Sequence, residues 1–310
     1  MTTYKEINGT NIEAVASDPS NPVDGQVWYN TTTNLVKANY INPGSWSTGG
    51  ALNTARDLLA GAGSQSYGLA FGGSPGVALT EEYNGTAWTE NNDMNTARER
   101  LAGVGTQTAA LAIGGNIPTG AVEKYNGTDW TSDASINTVR YQLAAAGTQT
   151  AALGFGGILP PGAATAITEL YNGTNWTEVN DLNTARGELA GFGATNTEAL
   201  AFGGNPVIAA TELWNGTNWT EVNDLNTGRS NLAGVGNQTV GLAFGGTPPT
   251  TGATESWNGT NWAEVNDMGT ARGTLAGAGT PTAALAIGGG ASTATEEWNV
   301  GPATVTFDNS

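Results

Sequence analysis

Two stretches of this chain are almost identical. Residues 172–193 read NGTNWTEVNDLNTARGELAGFG, and residues 215–236 read NGTNWTEVNDLNTGRSNLAGVG. The second copy starts 43 positions after the first, and self-similarity at a fixed period of this length indicates a repeat architecture. The fold of the chain should therefore follow from the structure of one repeat.

The repeat occurs six times, with a period of 42 to 47 residues. In each copy a tryptophan lies ten residues before an arginine, and a double glycine follows the arginine. The tryptophans are Trp46, Trp88, Trp130, Trp176, Trp219 and Trp262. The double glycines begin at Gly72, Gly114, Gly156, Gly203, Gly245 and Gly288.

One repeat contains four short segments that are typical of β-strands: LAGFG at 189–193, EALAFGG at 198–204, ATELW at 210–214 and TNWTE at 217–221. The last two segments flank Asn215-Gly216, and Asn-Gly between extended segments predicts a hairpin with a type I′ turn. Helical periodicity is absent. Four strands in a unit of this length predict one blade of a β-propeller, so six copies predict six blades.

The order of these landmarks resembles the kelch repeat, which has a double glycine after the second strand, an aromatic residue in the third and a tryptophan in the fourth. Here these are Gly203-Gly204, Trp214 and Trp219. The resemblance implies a propeller fold but no particular activity, because kelch propellers are scaffolds, lectin-like binders and occasionally enzymes. The expected fold is all-β, a six-bladed kelch-like β-propeller at residues 46–310 that follows a short N-terminal β-hairpin and extended attachment segment at residues 1–45.

Closure of the ring requires a partner for the last blade, because the sixth copy ends at Trp298 without a fourth strand of its own. Trp46 lies in phase for that strand, which predicts that the segment around Trp46 completes the last blade. Ala303–Phe307 (ATVTF) alternates in hydrophobicity and follows Trp298 at the same spacing, so it is an alternative closing strand. Either segment, or both, could lock the ring.

Each copy carries one arginine at the start of the first strand and one glutamate in the third strand. In an antiparallel meander these positions lie at the same end of the sheet, about 9.6 Å apart, with the double glycine between them. We predict six structural ion pairs: Arg56–Glu81, Arg98–Glu123, Arg140–Glu169, Arg186–Glu212, Arg229–Glu255 and Arg272–Glu296. The alternative interpretation is a ring of free arginines around an anion-binding channel.

The copies diverge most in the loop that follows each double glycine, and five of the six loops contain proline. Strand parity places all six loops on one face, which is the usual layout of a binding surface in a repeat protein. The candidate ligand-binding residues are Pro75, Val77, Ile117, Pro118, Leu159, Pro160, Pro206, Val207, Pro248 and Pro249. The alternative is that these loops vary because nothing constrains them.

The composition excludes several function classes. A net charge of −17 opposes binding to nucleic acid and to anionic membrane surfaces. Without cysteine or histidine the chain has no Cys nucleophile, Ser-His triad or histidine metal site. No segment approaches the roughly 18 apolar residues of a membrane span, and residues 1–10 lack the apolar core of a signal peptide. We therefore predict no enzyme activity, no catalytic residues, no metal and no cofactor.

Residues 1–45 lie outside the repeat. Gln26–Asn30 and Leu35–Tyr40 predict the two strands of a hairpin. This segment also resembles a module of tailed-phage virion proteins, often of marine phages, at Asp18-Pro19, Asn21-Pro22, Gly25-Gln26 and Trp28-Tyr29-Asn30. The resemblance implies that residues 1–45 attach the chain to other virion proteins.

We therefore expect a non-enzymatic structural virion protein of a tailed phage, either a tail fibre or appendage or a capsid-surface protein, assembled in the host cytoplasm. Several copies on one particle would present the propeller for binding, with a host-surface glycan as the candidate ligand. Two alternatives stay open. One is a carbohydrate-active propeller enzyme, which needs paired carboxylates in a pocket. The other is a cellular kelch scaffold for protein interactions.

Overall fold

The computed structural model describes residues 12–20, 26–41, 43–116 and 120–307. It divides into two compact units, one made of Met1–Ser45 with Val300–Ser310 and the other of Trp46–Asn299. The predicted boundary after residue 45 coincides with this division. The C-terminal end differs from the prediction, because residues 300–307 belong to the first unit, where the last strand of the chain pairs. Within the described ranges, no helix is long and apolar enough to cross a membrane.

The second unit consists of six four-stranded sheets with antiparallel pairing, named sheets 1 to 6 in the chain order of their first strands. Sheet 1 contains Ala60–Gly63, Gly68–Phe71, Thr80–Tyr83 and Trp88–Asn91. Sheet 2 contains Ala102–Thr106, Ala109–Ile113, Val122–Tyr125 and Trp130–Asp133. Sheet 3 contains Ala144–Thr148, Ala151–Phe155, Thr168–Tyr171 and Trp176–Val179, with a small ribbon of Ile158–Leu159 and Ala163–Ala164 in its loop.

The remaining three sheets repeat the same order of strands. Sheet 4 contains Ala190–Thr195, Glu198–Phe202, Thr211–Trp214 and Trp219–Val222. Sheet 5 contains Ala233–Gly236, Gly241–Phe244, Thr254–Trp257 and Trp262–Glu264. Sheet 6 contains Ala276–Thr280, Ala283–Ile287, Thr295–Asn299 and, from the start of the unit, Ser45–Thr48.

The core of this unit lies between neighbouring sheets. Between sheets 1 and 2, for example, the Phe71 ring lies 4.9 Å from the Trp130 ring in a cluster that also contains Leu69 and Tyr125. The first strand of each sheet lies beside the first strand of the next sheet, and the first strand of sheet 6 lies beside that of sheet 1. Repeated four-stranded sheets in this order are consistent with a β-propeller.

The double glycine marks a close approach between neighbouring sheets. Gly72 has a φ of +65°, and a Cβ built on it would lie 2.7 Å from the carbonyl oxygen of Arg98, which precedes the first strand of sheet 2. The Gly73 N–H donates to that same oxygen at 3.0 Å. Glycine is therefore required here both by the backbone conformation and by the contact with the next sheet.

Trp46 lies in Ser45–Thr48, the fourth strand of sheet 6, where the sequence predicted it. Its Nε1 donates to Thr254 Oγ1 of sheet 5 at 3.0 Å. The alternative closing strand ATVTF falls within Pro302–Phe307, which pairs with Leu35–Ile41 in the first unit. In every other sheet, the fourth strand has a tryptophan that packs against the neighbouring sheet. The Trp46 segment can complete sheet 6 because it has this tryptophan, whereas ATVTF has none.

The Asn-Gly hairpins are present, but the predicted type I′ turn is wrong. Four residues, Asn84 to Ala87, connect the third and fourth strands of sheet 1, and among them only Gly85 has a positive φ. Asn84 Oδ1 accepts hydrogen bonds from the N–H groups of Thr86 at 3.0 Å and Ala87 at 2.9 Å. Asparagine recurs at this position because its side chain satisfies two backbone donors of the loop.

A buried ion pair joins the strands of every sheet. Arg56 Nη2 donates to Glu81 Oε1 at 2.6 Å, and Arg56 Nη1 donates to the carbonyl oxygens of Gly72 and Leu79, both at 2.9 Å. The other pairs are Arg98–Glu123 at 2.5 Å, Arg140–Glu169, Arg186–Glu212 and Arg229–Glu255 at 3.1 Å, and Arg272–Glu296 at 2.7 Å. All twelve residues are buried, so these guanidinium groups do not form the free ring of the alternative interpretation.

The second oxygen of each glutamate is held by the segment that precedes the arginine. Asn53 donates to Glu81 Oε2 through its backbone N at 2.7 Å and through Nδ2 at 2.9 Å, and Nδ2 also donates to the carbonyl oxygen of Trp88 at 3.0 Å. Five copies have this asparagine. The copy that belongs to sheet 6 has Gly269, whose N–H donates to Glu296 Oε2 at 2.7 Å without help from a side chain.

The described residues of the first unit form one four-stranded sheet. Across the sheet its strands are Glu13–Val15, Val27–Asn30, Leu35–Ile41 and Pro302–Phe307. The first pair is parallel and the other two pairs are antiparallel. The predicted hairpin is present in this sheet, and its strands differ from the predicted ones by one residue.

Asp18 joins three side chains of this sheet. Its Oδ1 accepts hydrogen bonds from Trp28 Nε1 at 2.9 Å and Asn30 Nδ2 at 2.7 Å, and its Oδ2 accepts one from Lys37 Nζ at 2.6 Å. The bond from Lys37 is the largest of the effects that lower the pKa of Asp18 to about 2. The indole of Trp28, which is fully buried, is thereby fixed by a charged acceptor.

We expect Gly269→Asn to raise the free energy of unfolding by about 1 kcal/mol, because the added amide would give Glu296 the side-chain hydrogen bond that the glutamate accepts in sheets 1, 2, 4 and 5. A Cβ at this position would lie 3.2 Å from Glu296 Oε2, so the carboxylate must shift slightly. Denaturant unfolding followed by tryptophan fluorescence would measure the change. Asn53→Gly is the matched control and should lower stability by a similar amount. A destabilised Gly269→Asn variant would contradict the assigned role of the asparagine.

The stability of the first unit should depend on pH through Asp18. Because folding lowers the pKa of this carboxyl, its contribution is fully present above the unfolded pKa of about 4 and is lost as the pH falls toward 2. Amide exchange protection of Val27–Asn30 should therefore decrease over this range in the native chain and change less in Asp18→Asn. Equal pH dependence in both proteins would show that another group is responsible.

Candidate functional site

Six residues form a closed ring of backbone hydrogen bonds in the second unit. Each lies two positions after a paired arginine, and its N–H donates to the carbonyl oxygen of the equivalent residue of the preceding sheet at 2.8 to 3.0 Å. The last bond of the ring runs from Leu58 N to Thr274 O at 2.8 Å. The members of this mouth ring are Leu58, Arg100, Gln142, Glu188, Asn231 and Thr274.

The mouth ring has an unfavourable backbone conformation for its residue types. All six members have positive φ values, between 52° and 61°. The described residues include only two other non-glycine positions with positive φ, Asn34 and Ala291. This conformation is costly for most L-residues, and for the β-branched Thr274 in particular. Side chains kept under such strain indicate a functional constraint.

A cavity of about 90 Å³ lies inside the mouth ring. Its wall consists of the six ring residues and the leucine that directly follows each of them in sequence. These leucines are Leu59, Leu101, Leu143, Leu189, Leu232 and Leu275. The leucines are buried and identical in all copies, whereas the ring residues are all different. The cavity therefore has a repeated apolar base and a rim with no internal symmetry.

One side of the rim is internally hydrogen-bonded. Glu188 Oε2 accepts bonds from Ser230 Oγ at 3.0 Å and from Asn231 Nδ2 at 2.8 Å. Gln142 Nε2 donates to Asn231 Oδ1 at 3.4 Å, across the mouth. These contacts hold the Glu188 carboxylate and the Asn231 amide in fixed positions.

The other side of the rim is more open. The guanidinium of Arg100 lies over the Tyr141 ring, 5.6 Å from its centroid, and next to Leu58 in the mouth ring. Arg100 Nε lies 3.5 Å from Glu99 Oε1 and has no hydrogen-bond partner within the part of the chain that the structure describes. This corner offers a planar cation, an aromatic face and an apolar side chain.

The predicted binding loops lie on the same face as the mouth ring, which we name the loop face. Backbone bonds from Ser74 N to Asp57 O and from Asn205 N to Gly187 O, at 2.8 and 2.7 Å, join two of the loops to residues beside the ring. Pro75, Pro160, Pro206, Val207, Pro248 and Pro249 are exposed, whereas Val77 and Leu159 are half-buried. Ile117 and Pro118 lie outside the described residues.

The structure does not gather the predicted loop residues into one pocket, and none of those described lines the cavity at the mouth. The sequence interpretation missed the mouth ring because it looked for divergence only after the double glycine. A signal was present, since the two residues between the repeated arginine and the repeated leucine differ among the copies: DL, ER, YQ, GE, SN and GT.

The described residues hold no group of three or more Asp and Glu side chains arranged to bind a metal ion. Comparison with known proteins adds nothing further: no family model matches the chain, and no curated protein matches it significantly. The resemblances to kelch repeats and to phage virion proteins therefore remain predictions from the sequence, and the function is argued from the geometry of the loop face.

Proposed function

We propose that this chain is a non-enzymatic binding protein, a closed six-bladed kelch-like β-propeller that binds its ligand at the mouth ring and the surrounding loops. Two observations support closure. The first strands are neighbours in an order that returns from sheet 6 to sheet 1, and the ring of hydrogen bonds returns from Thr274 to Leu58. A closed ring buries both faces of every sheet and leaves its two ends for recognition.

The observation that carries the binding role is the asymmetry of the mouth ring. At most positions with positive φ the chain has glycine, which avoids strain. At the mouth it has six different side chains instead, on a frame that is otherwise copied. A purely architectural position would be expected to repeat like the leucine beneath it, so the differences are best explained by contact with an asymmetric ligand.

The connections of the second unit suit a protein that is attached at one end. The chain enters this unit at the start of Ser45–Thr48 and leaves it at the end of Thr295–Asn299, the fourth and third strands of sheet 6. In the other five sheets, an Asn-Gly loop joins the corresponding ends of the third and fourth strands. These loops lie at the end of the sheets opposite the loop face. Attachment to other virion proteins through residues 1–45 would suit a tail fibre, appendage or capsid-surface protein of a tailed phage.

The ligand proposed for this face is a host-surface glycan. The rim presents amide, hydroxyl, carboxylate and guanidinium groups around a small cavity, and such groups bind sugar hydroxyls by hydrogen bonding. A site this small gives weak binding to one copy. Several copies on a particle that is assembled in the host cytoplasm would raise the overall avidity.

Variants of the rim should separate binding from folding. Leu58→Gly and Gln142→Gly relieve the positive-φ strain, so both proteins should fold while losing rim contacts, and binding on a glycan array should fall at least about tenfold. Tyr67→Ala, at an exposed residue of the opposite end, is the control and should bind normally. Unchanged binding by both rim variants would rule out the mouth as the site.

The virion assignment has its own test. Mass spectrometry of purified particles should detect peptides of this chain at many copies per particle. Deletion of residues 1–44 together with residues 300–310 should remove the protein from particles without preventing glycan binding by the second unit, because the two are separate compact units and Ser45 begins the fourth strand of sheet 6. Absence of the chain from purified particles would overturn the assignment and favour a cellular binding protein.

A further inference from the structure

Arg100 differs from every other cation that the structure describes. The eight others are Lys37, Arg56, Arg98, Lys124, Arg140, Arg186, Arg229 and Arg272, and each has a carboxylate oxygen within 3.1 Å. For Arg100 the ion pair is longer, with Nε 3.5 Å from Glu99 Oε1. In a chain with a net charge of −17, a positive group without a close acidic partner is unusual.

Arg100 lies at the mouth with part of its side chain exposed. The residue lines the cavity, its side chain is 37% exposed, and its guanidinium carbon lies 5.6 Å from the centroid of the Tyr141 ring. This cation–π contact restricts the guanidinium, whose planar donors suit two-point bonding to a carboxylate. The positive φ of Arg100, 61°, places its side chain on the rim of the mouth.

The surroundings of Arg100 restrict the ligand further. Asp57, Glu99 and Glu188 also lie on or beside the rim, and carboxylates accept hydrogen bonds from hydroxyl groups. A ligand with one carboxylate and several hydroxyls can satisfy both kinds of group. A neutral sugar would leave the guanidinium without an anionic acceptor, and a peptide with many acidic side chains would be repelled by the acidic rim.

We propose that the Arg100 corner of the mouth, formed with Tyr141, Gln142 and Leu58, binds the carboxylate of an acidic saccharide of the uronic-acid type. This inference rests on the proposed function, in which the loop face binds a glycan, and it specifies the class of glycan. The carboxylate lies on the guanidinium, the ring hydroxyls lie toward the amide of Gln142, and the apolar edge of the sugar lies against Leu58.

The test is calorimetric titration of the full chain with methyl α-D-galactopyranosiduronic acid, which carries one carboxylate, and with its methyl ester, which has the same hydroxyls but no charge. Native protein should bind the acid at least about tenfold more tightly than the ester, as expected for one charge-assisted pair. Arg100→Gln should remove this preference, and Glu99→Gln should strengthen binding of the acid by removing a competing anion. Lys37→Gln in the first unit removes the same charge far along the chain and is the control.

The outcomes separate this inference from the proposed function. Equal binding of acid and ester, or an acid preference that survives in a folded Arg100→Gln protein, would overturn the inference while rim-dependent glycan binding could still stand. Tighter, Arg100-dependent binding of hexaglutamate than of the monosaccharide acid would assign the corner to an acidic peptide instead. If neither saccharide binds and a glycan array shows no other ligand, the inference and the proposed function both fail.

Discussion

The buried arginine–glutamate pair is the interaction on which the second unit depends. Burial lowers the pKa of Arg56 from its ordinary value, and the charge of Glu81 opposes that shift, so the guanidinium keeps its proton inside the sheet. Removing one partner would leave an unpaired buried charge, at a typical cost of about 3–5 kcal/mol. Neither residue can be lost alone, which explains why both recur in all six copies.

The same arginine also determines where the mouth ring lies. Its side chain is fixed within its own sheet, and its carbonyl oxygen accepts a bond from the double glycine of the preceding sheet, as Arg56 does from Gly289 at 3.0 Å. With the arginine fixed on both sides, the chain has three residues in which to reach the start of the first strand at Ala60. It does so through a positive-φ residue, and that residue presents its side chain at the mouth.

The repeated frame and the divergent side chains of the mouth ring therefore result from the same architecture. The pairs, leucines and double glycines make six equal positions available, and the backbone bonds of the mouth ring hold them whatever side chains they carry. Substitution at the rim changes the exposed side chain without changing the backbone hydrogen bonds that join the sheets. Under the proposed function, the ligand contacts can therefore vary at little cost to the fold.

Much of the fold could be predicted from the sequence because its determinants are local or strictly periodic. The four strands of each repeat follow from alternation and turn residues, and the arginine–glutamate pairs follow from strand parity. The turn type was predicted incorrectly because asparagine can act through its side chain as well as through its backbone, and only coordinates distinguish the two. The pairing of the last strand was also not determined, since ATVTF has no residue that specifies a partner.

The sequence by itself thus determined the repeating unit, its strands and its buried pairs, because each of these depends on residues within one period. The tertiary structure alone decided which residues form the site. Leu58, Arg100 and Thr274 are separated by whole repeats and meet only when successive sheets pack side by side. Their positive φ values are likewise consequences of that packing, because the periodic pattern marks their positions in the repeat but does not specify their conformation.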